Sequence, residues 1–155
     1  MGRVRRKQRP QPSAESAVLP SKEIIVTTQT VLRQRGLDLL DRLHGGHAGA
    51  DMVAEMQDIC PAFADMTIDW AIGSIMARPG LDLLTRELIL IASCVTQGHA
   101  MPQLRAHAQA ALKVGATRQQ IVETVLQLTF YAGGSAVRNS LVLLQEVFAQ
   151  AEQTA

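Results

Sequence analysis

Aromatic residues are scarce: Phe, Trp and Tyr make up 3% of the 155 residues, too few for a nucleic-acid stacking surface. Cysteine is limited to Cys60 and Cys94, which lie far apart and form no C-x-x-C pair. A disulfide scaffold, a zinc knuckle and a dithiol redox site therefore lack support, and both thiols are expected to be buried and structural. No apolar stretch reaches the roughly 18 residues of a membrane span, the longest lying around Leu88 to Val95. Basic excess is missing too. The formal net charge is +1, and Arg3, Arg5, Arg6, Lys7 and Arg9 hold five of the fifteen basic groups, leaving ten against fourteen acids elsewhere. A mildly acidic body argues against DNA or RNA as the main partner.

What is present is an aliphatic interior. Apolar residues form 47% of the chain, enough for one core, and the length fits a single domain. Residues 1–20, rich in Arg, Gln, Pro and Ser, read as a disordered basic tail, with the folded domain spanning 21–155. Arg5-Arg6 superficially matches a twin-arginine export signal, but no apolar run follows, so a cytoplasmic location with no membrane partner is expected.

The apolar spacing is helical throughout. A first helix beginning after Ser21 or Thr28 should run to Leu43, carrying Val31, Leu32, Leu39, Leu40 and Leu43 inward, and stop at Gly45-Gly46. Asp51 is an N-cap candidate for a short helix through Ile59. Ala62 to Met76 repeats the helical spacing before Arg78-Pro79-Gly80 stops it. Asp82 or Thr85 can cap a helix whose run Leu88 to Val95 is apolar on every side, and a strand is rejected because no hairpin or β-α-β partner exists. Pro102 suits the first turn of a helix ending at Gly115. Thr117 and Gln120 form a capping box for a helix ending near Tyr131, and a last helix runs from Ser135 to about Ala151. The expected fold class is all-α, a bundle of about six helices.

Polar groups gather in the later part of the chain: Arg78, Arg86, Arg105 and His107. Residues two apart on a helix point about 200° apart, so Arg105 and His107 share a site only if it wraps around the helix start. His107 projects toward apolar neighbours, and the bland alternative is a core-edge histidine satisfied by a backbone carbonyl. His44 and His47, in Gly-Gly surroundings without a clear third ligand, read as solvated loop rather than metal ligands.

The ordered segments ARPGLDLLTREL, LRAHAQAALKVGAT and QQIVETVLQLTFYAGG, followed by an amphipathic helix, resemble the carboxymuconolactone decarboxylase family. Upstream, VLRQRGLDLLDRL and AIGSIMARPGL resemble its first helix and the lead into its Arg-Pro-Gly turn. The resemblance implies an all-α fold shared with alkylhydroperoxidase-D-like proteins, a trimer or hexamer with sites near subunit contacts, and decarboxylation of a small carboxylated lactone or related unsaturated acid without metal or organic cofactor. It implies His107 as proton donor or oxyanion partner, Arg78, Arg86 and Arg105 orienting substrate, and Tyr131 lining the site. The family's Gly-acidic-x-Trp segment is here Gly73, Ser74 and Met76, so Ser74 stands where the acid is expected and Met76 where the tryptophan is. Gln109 replaces an arginine and Ser135 a proline, while Arg138 and His99 are offered in exchange. These departures leave two further readings open: decarboxylation, isomerisation or cyclisation of a larger apolar metabolite, or a non-catalytic oligomeric ligand-binding protein. The superfamily's peroxidase chemistry needs a C-x-x-C pair, and Cys94 alone does not supply it.

Overall fold

In the computed structural model, residues 22–153 are described, with side chains from Thr28 onward. The basic tail expected at 1–20 lies outside the described residues. These residues form α1 (Lys22–His44), α2 (Ala48–Met56), α3 (Pro61–Asp65), a π-helix π1 (Met66–Met76), α4 (Leu83–Gln97), α5 (Met101–Lys113), α6 (Arg118–Leu126), α7 (Thr129–Ala132) and α8 (Gly134–Gln153). The all-α class is as expected, and the described residues include no strand.

Local chemistry accounts for most boundaries. Asp82 caps α4, its carboxylate accepting from the Thr85 backbone N–H at 2.8 Å and the Thr85 hydroxyl at 2.9 Å. Those two bonds hold its carboxyl below the usual carboxylate range. Thr117 and Gln120 make the full reciprocal capping box of α6. Pro61 and Pro102 sit in first turns, where a missing N–H costs nothing. Gly98 and Gly115 end α4 and α5 with positive φ angles of 74° and 100°.

Three boundaries differ from the sequence reading. Asp51 lies inside α2, whose cap position is His47. The 62–76 stretch changes to π geometry after Asp65, so an α-helical wheel misplaces the faces beyond it: Ile68 is buried while Met66, Trp70 and Ile75 are exposed. The α6 helix stops at Leu126, and a separate short α7 leaves Phe130 and Tyr131 at the surface. Val31, expected inward, is also exposed, as is Cys60, so only Cys94 is a buried thiol.

The main core is formed by Ile91, Val95, Leu104, Ile121, Val125 and Leu144 with their neighbours, joining α4, α5, α6 and α8. Arg118 stacks over the Phe148 ring at 5.4 Å and pairs with Glu152, fastening α6 to α8. A smaller cluster of Leu43, Met76 and Ala110 joins α1, π1 and α5. There α1 crosses π1 at two glycines. A Cβ on Gly36 would stand 2.1 Å from the Ile68 carbonyl oxygen, and one on Gly73 would stand 2.1 Å from that of Leu32. Arg33 locks the crossing from outside, donating to Asp65 at 2.7 Å and to Asp69 at 3.2 Å.

No backbone can approach a Cβ at that distance, so either Gly36→Ala or Gly73→Ala must push the two helices apart. Each is expected to cost about 3 kcal/mol in urea denaturation, against less than about 0.5 kcal/mol for Gly46→Ala, which meets open space. Equal stability of all three variants would overturn the close-crossing account.

Candidate active site

The α4 helix carries one carboxylate where its apolar stripe faces the core. Glu87, Ile91, Cys94 and Val95 are its buried residues, and Glu87 is 0% exposed. Helical spacing puts all four on one face, so the carboxylate enters the interior with the core side chains. Its Oε2 lies 2.9 Å from His107 Nδ1 on α5. With Glu87 ionised, that bond requires Nδ1 to carry the hydrogen and donate it, leaving Nε2 as the free ring position. Among the described residues no donor reaches Oε1 of Glu87. Buried side-chain polar atoms without a partner are uncommon.

His107 is at the core edge, as expected, but its partner is this carboxylate instead of a backbone carbonyl, and 23% of its side chain is exposed. The His44 ring meets it edge-on, with centroids 6.2 Å apart. His44 is therefore the half-buried end of α1 and not a solvated loop residue. Desolvation pushes the His44 imidazole below its usual value; the Glu87 carboxylate pulls the other way, and His107 and Lys113 add to the lowering. His44 also borders a cavity of about 560 Å³, whose wall includes Leu43, His47, Asp51, Ala106, Gln109 and Lys113. His47 itself lies at the surface, 3.4 Å from Asp51. Among the described residues no group of three or more His, Cys, Asp or Glu is placed to hold a metal ion. Burial, with the Glu87 charge adding to it, pushes the Cys94 thiol up, away from thiolate chemistry.

The other sequence candidates are dispersed. Arg105 pairs with Glu146 on α8. Arg86 donates to the carbonyls of Arg78 at 2.8 Å and Leu81 at 3.2 Å, bracing the turn that enters α4. Arg78 and Met76 come together at a second cavity of about 590 Å³. Ser74 is half-buried on π1, Tyr131 is 83% exposed on α7, and Arg138 is exposed on α8. His99 bonds the nearby Gln97 carbonyl oxygen through its ring nitrogen at 2.8 Å.

The model of the carboxymuconolactone decarboxylase family matches residues 61–146, more than half of the chain and the whole α4–α5 frame of the Glu87–His107 pair. The chain belongs to that family. An uncharacterized 15.0 kDa protein from the nqo9-nqo10 intergenic region of Paracoccus denitrificans is 37% identical over 63% of this chain and 74% of its own length. The 4-carboxymuconolactone decarboxylase of Acinetobacter baylyi is 28% identical over 74% of this chain and 85% of its own. A nitrosuccinic acid decarboxylase of Metarhizium robertsii is 29% identical over 53% and 57%. Family membership therefore gives a decarboxylase-like frame. No helix among the described residues is long and apolar enough to cross a membrane.

Sequence reasoning passed over Glu87, although a signal was available: it is the charged member of the stripe that continues through Ile91, Cys94 and Val95.

Because His44 is held neutral by burial, the unfolded chain takes up its proton near pH 6.5 and the folded chain only at lower pH. Folding stability should be unaffected by this group above about pH 7.5 and fall as pH drops from about 6.5 through the depressed value. Urea midpoints at pH 7.5, 6 and 5 are expected to decline less in His44→Gln than in wild type. Parallel profiles would remove His44 from the acid response.

Proposed function

We propose that this protein is a cofactor-independent lyase of the decarboxylase type, acting on a small carboxylated lactone or a related unsaturated acid. The observation that carries the reading is the buried Glu87 carboxylate held on Nδ1 of a partly exposed His107. Two relatives of this chain are named as decarboxylases, which supports the same reaction class.

The chemistry suits this pair. When carbon dioxide leaves a carbon conjugated through an alkene to a lactone carbonyl, the carbon–carbon bonding electrons pass into the alkene and onto the carbonyl oxygen. The resulting enolate needs a donor near that oxygen and a proton at carbon, so the substrate supplies its own electron sink. His107, protonated at both nitrogens, delivers a proton from Nε2 to carbon, and the Glu87 carboxylate stabilises the imidazolium that precedes transfer. Solvent then restores the proton to His107. In this reading the substrate lies in the cavity bordered by His44, where Lys113 supplies a cation for its carboxylate. Arg105 and Arg86 are committed to protein partners, so they act in this scheme by holding α5 against α8 and shaping the turn before α4.

We further propose a homo-oligomer, a trimer or hexamer. Phe63, Met66 and Trp70 on α3 and π1, and Phe130 and Tyr131 on α7, expose large apolar surface of the kind that subunit contacts cover. Ser74, Tyr131 and Arg138 would belong to the site through such contacts.

His107→Ala is expected to abolish turnover while leaving ligand binding intact, and Glu87→Gln to lower kcat by at least about 100-fold with a small change in KM. Steady-state decarboxylation of carboxylated lactones, monitored by carbon dioxide release, checks both. A wild-type protein that binds such acids and turns none of them over would favour the non-catalytic ligand-binding reading.

A further inference from the structure

The cavity of about 590 Å³ is built by four separate parts of the chain: α1, the π1 end with its following turn, the first turn of α4, and the end of α5. Met76 in its wall packs with Leu43 and Ala110, and neither Glu87 nor His107 lines it. Three guanidiniums frame it. Arg35 and Arg42 lie seven residues apart on one face of α1, and Arg78 approaches from the turn after π1. None of the three side chains makes an ion pair or hydrogen bond with a described residue, although two acids share the wall. Those acids are occupied locally: Asp38 accepts from the Gln34 amide at 2.8 Å, and Asp82 caps α4.

The rest of the wall is aliphatic. Leu39, Met76, Leu83 and Val114 line it as the outer side of the small core cluster, and Leu81 adds an exposed leucine. A compact inorganic anion would gain nothing from those surfaces and would meet the Asp38 and Asp82 charges. A neutral apolar molecule would leave the guanidiniums unused. A cation would be repelled. One chemistry satisfies both halves of the wall: a carboxylate that takes charge-assisted hydrogen bonds from arginine, carried on an apolar body that covers the leucines and methionine.

We infer that this cavity is a binding site for an organic carboxylate with an apolar body, separate from the Glu87–His107 pair. The guanidiniums are open to solvent, so their attraction is screened by salt while the apolar contribution is not.

Titration calorimetry of the full chain with octanoate tests the assignment. Saturable binding that weakens as sodium chloride is raised is expected, with each of Arg35→Gln, Arg42→Gln and Arg78→Gln lowering affinity roughly five- to tenfold. Lys113→Gln, which removes the cation of the cavity bordered by His44, should bind octanoate as wild type does. The site is overturned by an absence of saturable binding, by affinity indifferent to all three arginine changes, or by loss of binding in Lys113→Gln. Octylamine binding equally well would overturn the anionic requirement, and inorganic phosphate binding equally well would overturn the apolar one. The three arginines are exposed, so unchanged circular dichroism melts are expected to separate lost binding from lost folding.

Discussion

Burying Glu87 among the α4 core side chains withdraws a carboxylate from water, which costs several kcal/mol unless a donor or a cation is brought to it. His107 is that partner, and its position ties the register of α5 to α4. The same contact orients the imidazole, because holding Nδ1 inward fixes the ring and leaves Nε2 as the nitrogen that Glu87 does not hold. Charge at Glu87 also reaches Cys94 and His44, opposing thiolate formation at the first and favouring protonation at the second. Burial is the larger influence at both, raising the thiol and lowering the imidazole.

The second constraint is steric. Gly36 and Gly73 let α1 and π1 touch backbone to backbone, and the leucines of α1 carry that placement along the helix to Leu43 and His44. Without it the α1 end would not meet His107. Stability and site geometry therefore share a cause, the missing side chains at one helix crossing. Arg33, bonded to both Asp65 and Asp69, holds the crossing on its solvent side.

Much of the fold was legible because its signals are local. Asp82, Thr117-Gln120, Pro102 and Gly115 act within a few residues of themselves, and each does what its chemistry requires. The site was less legible because its contacts are distant in sequence. His107 stood out by type, but its bond to Glu87 and its contact with His44 join three helices. A charged residue on a helix is ordinarily counted toward the solvated face, which hid Glu87 inside an apolar run. His44 was obscured for the opposite reason: the Gly-Gly that follows suggested a loop, whereas α1 reaches that residue before it ends. The faces of residues 66–76 could not be read with a 3.6-residue period, because the backbone there does not use one.

That π-helix carries a consequence for how such a site can change. Its bonds, such as Ala77 N–H to Ile72 C=O, reach back five residues instead of four, so each bonded ring spans one more residue than in an α-helix. Shortening this segment toward an α-helical period would turn Ser74 and Met76 relative to α1. The helices on either side would keep their own sequences and caps. A change in length, with no substitution at all, would thus exchange the side chains presented between α1 and the turn before α4.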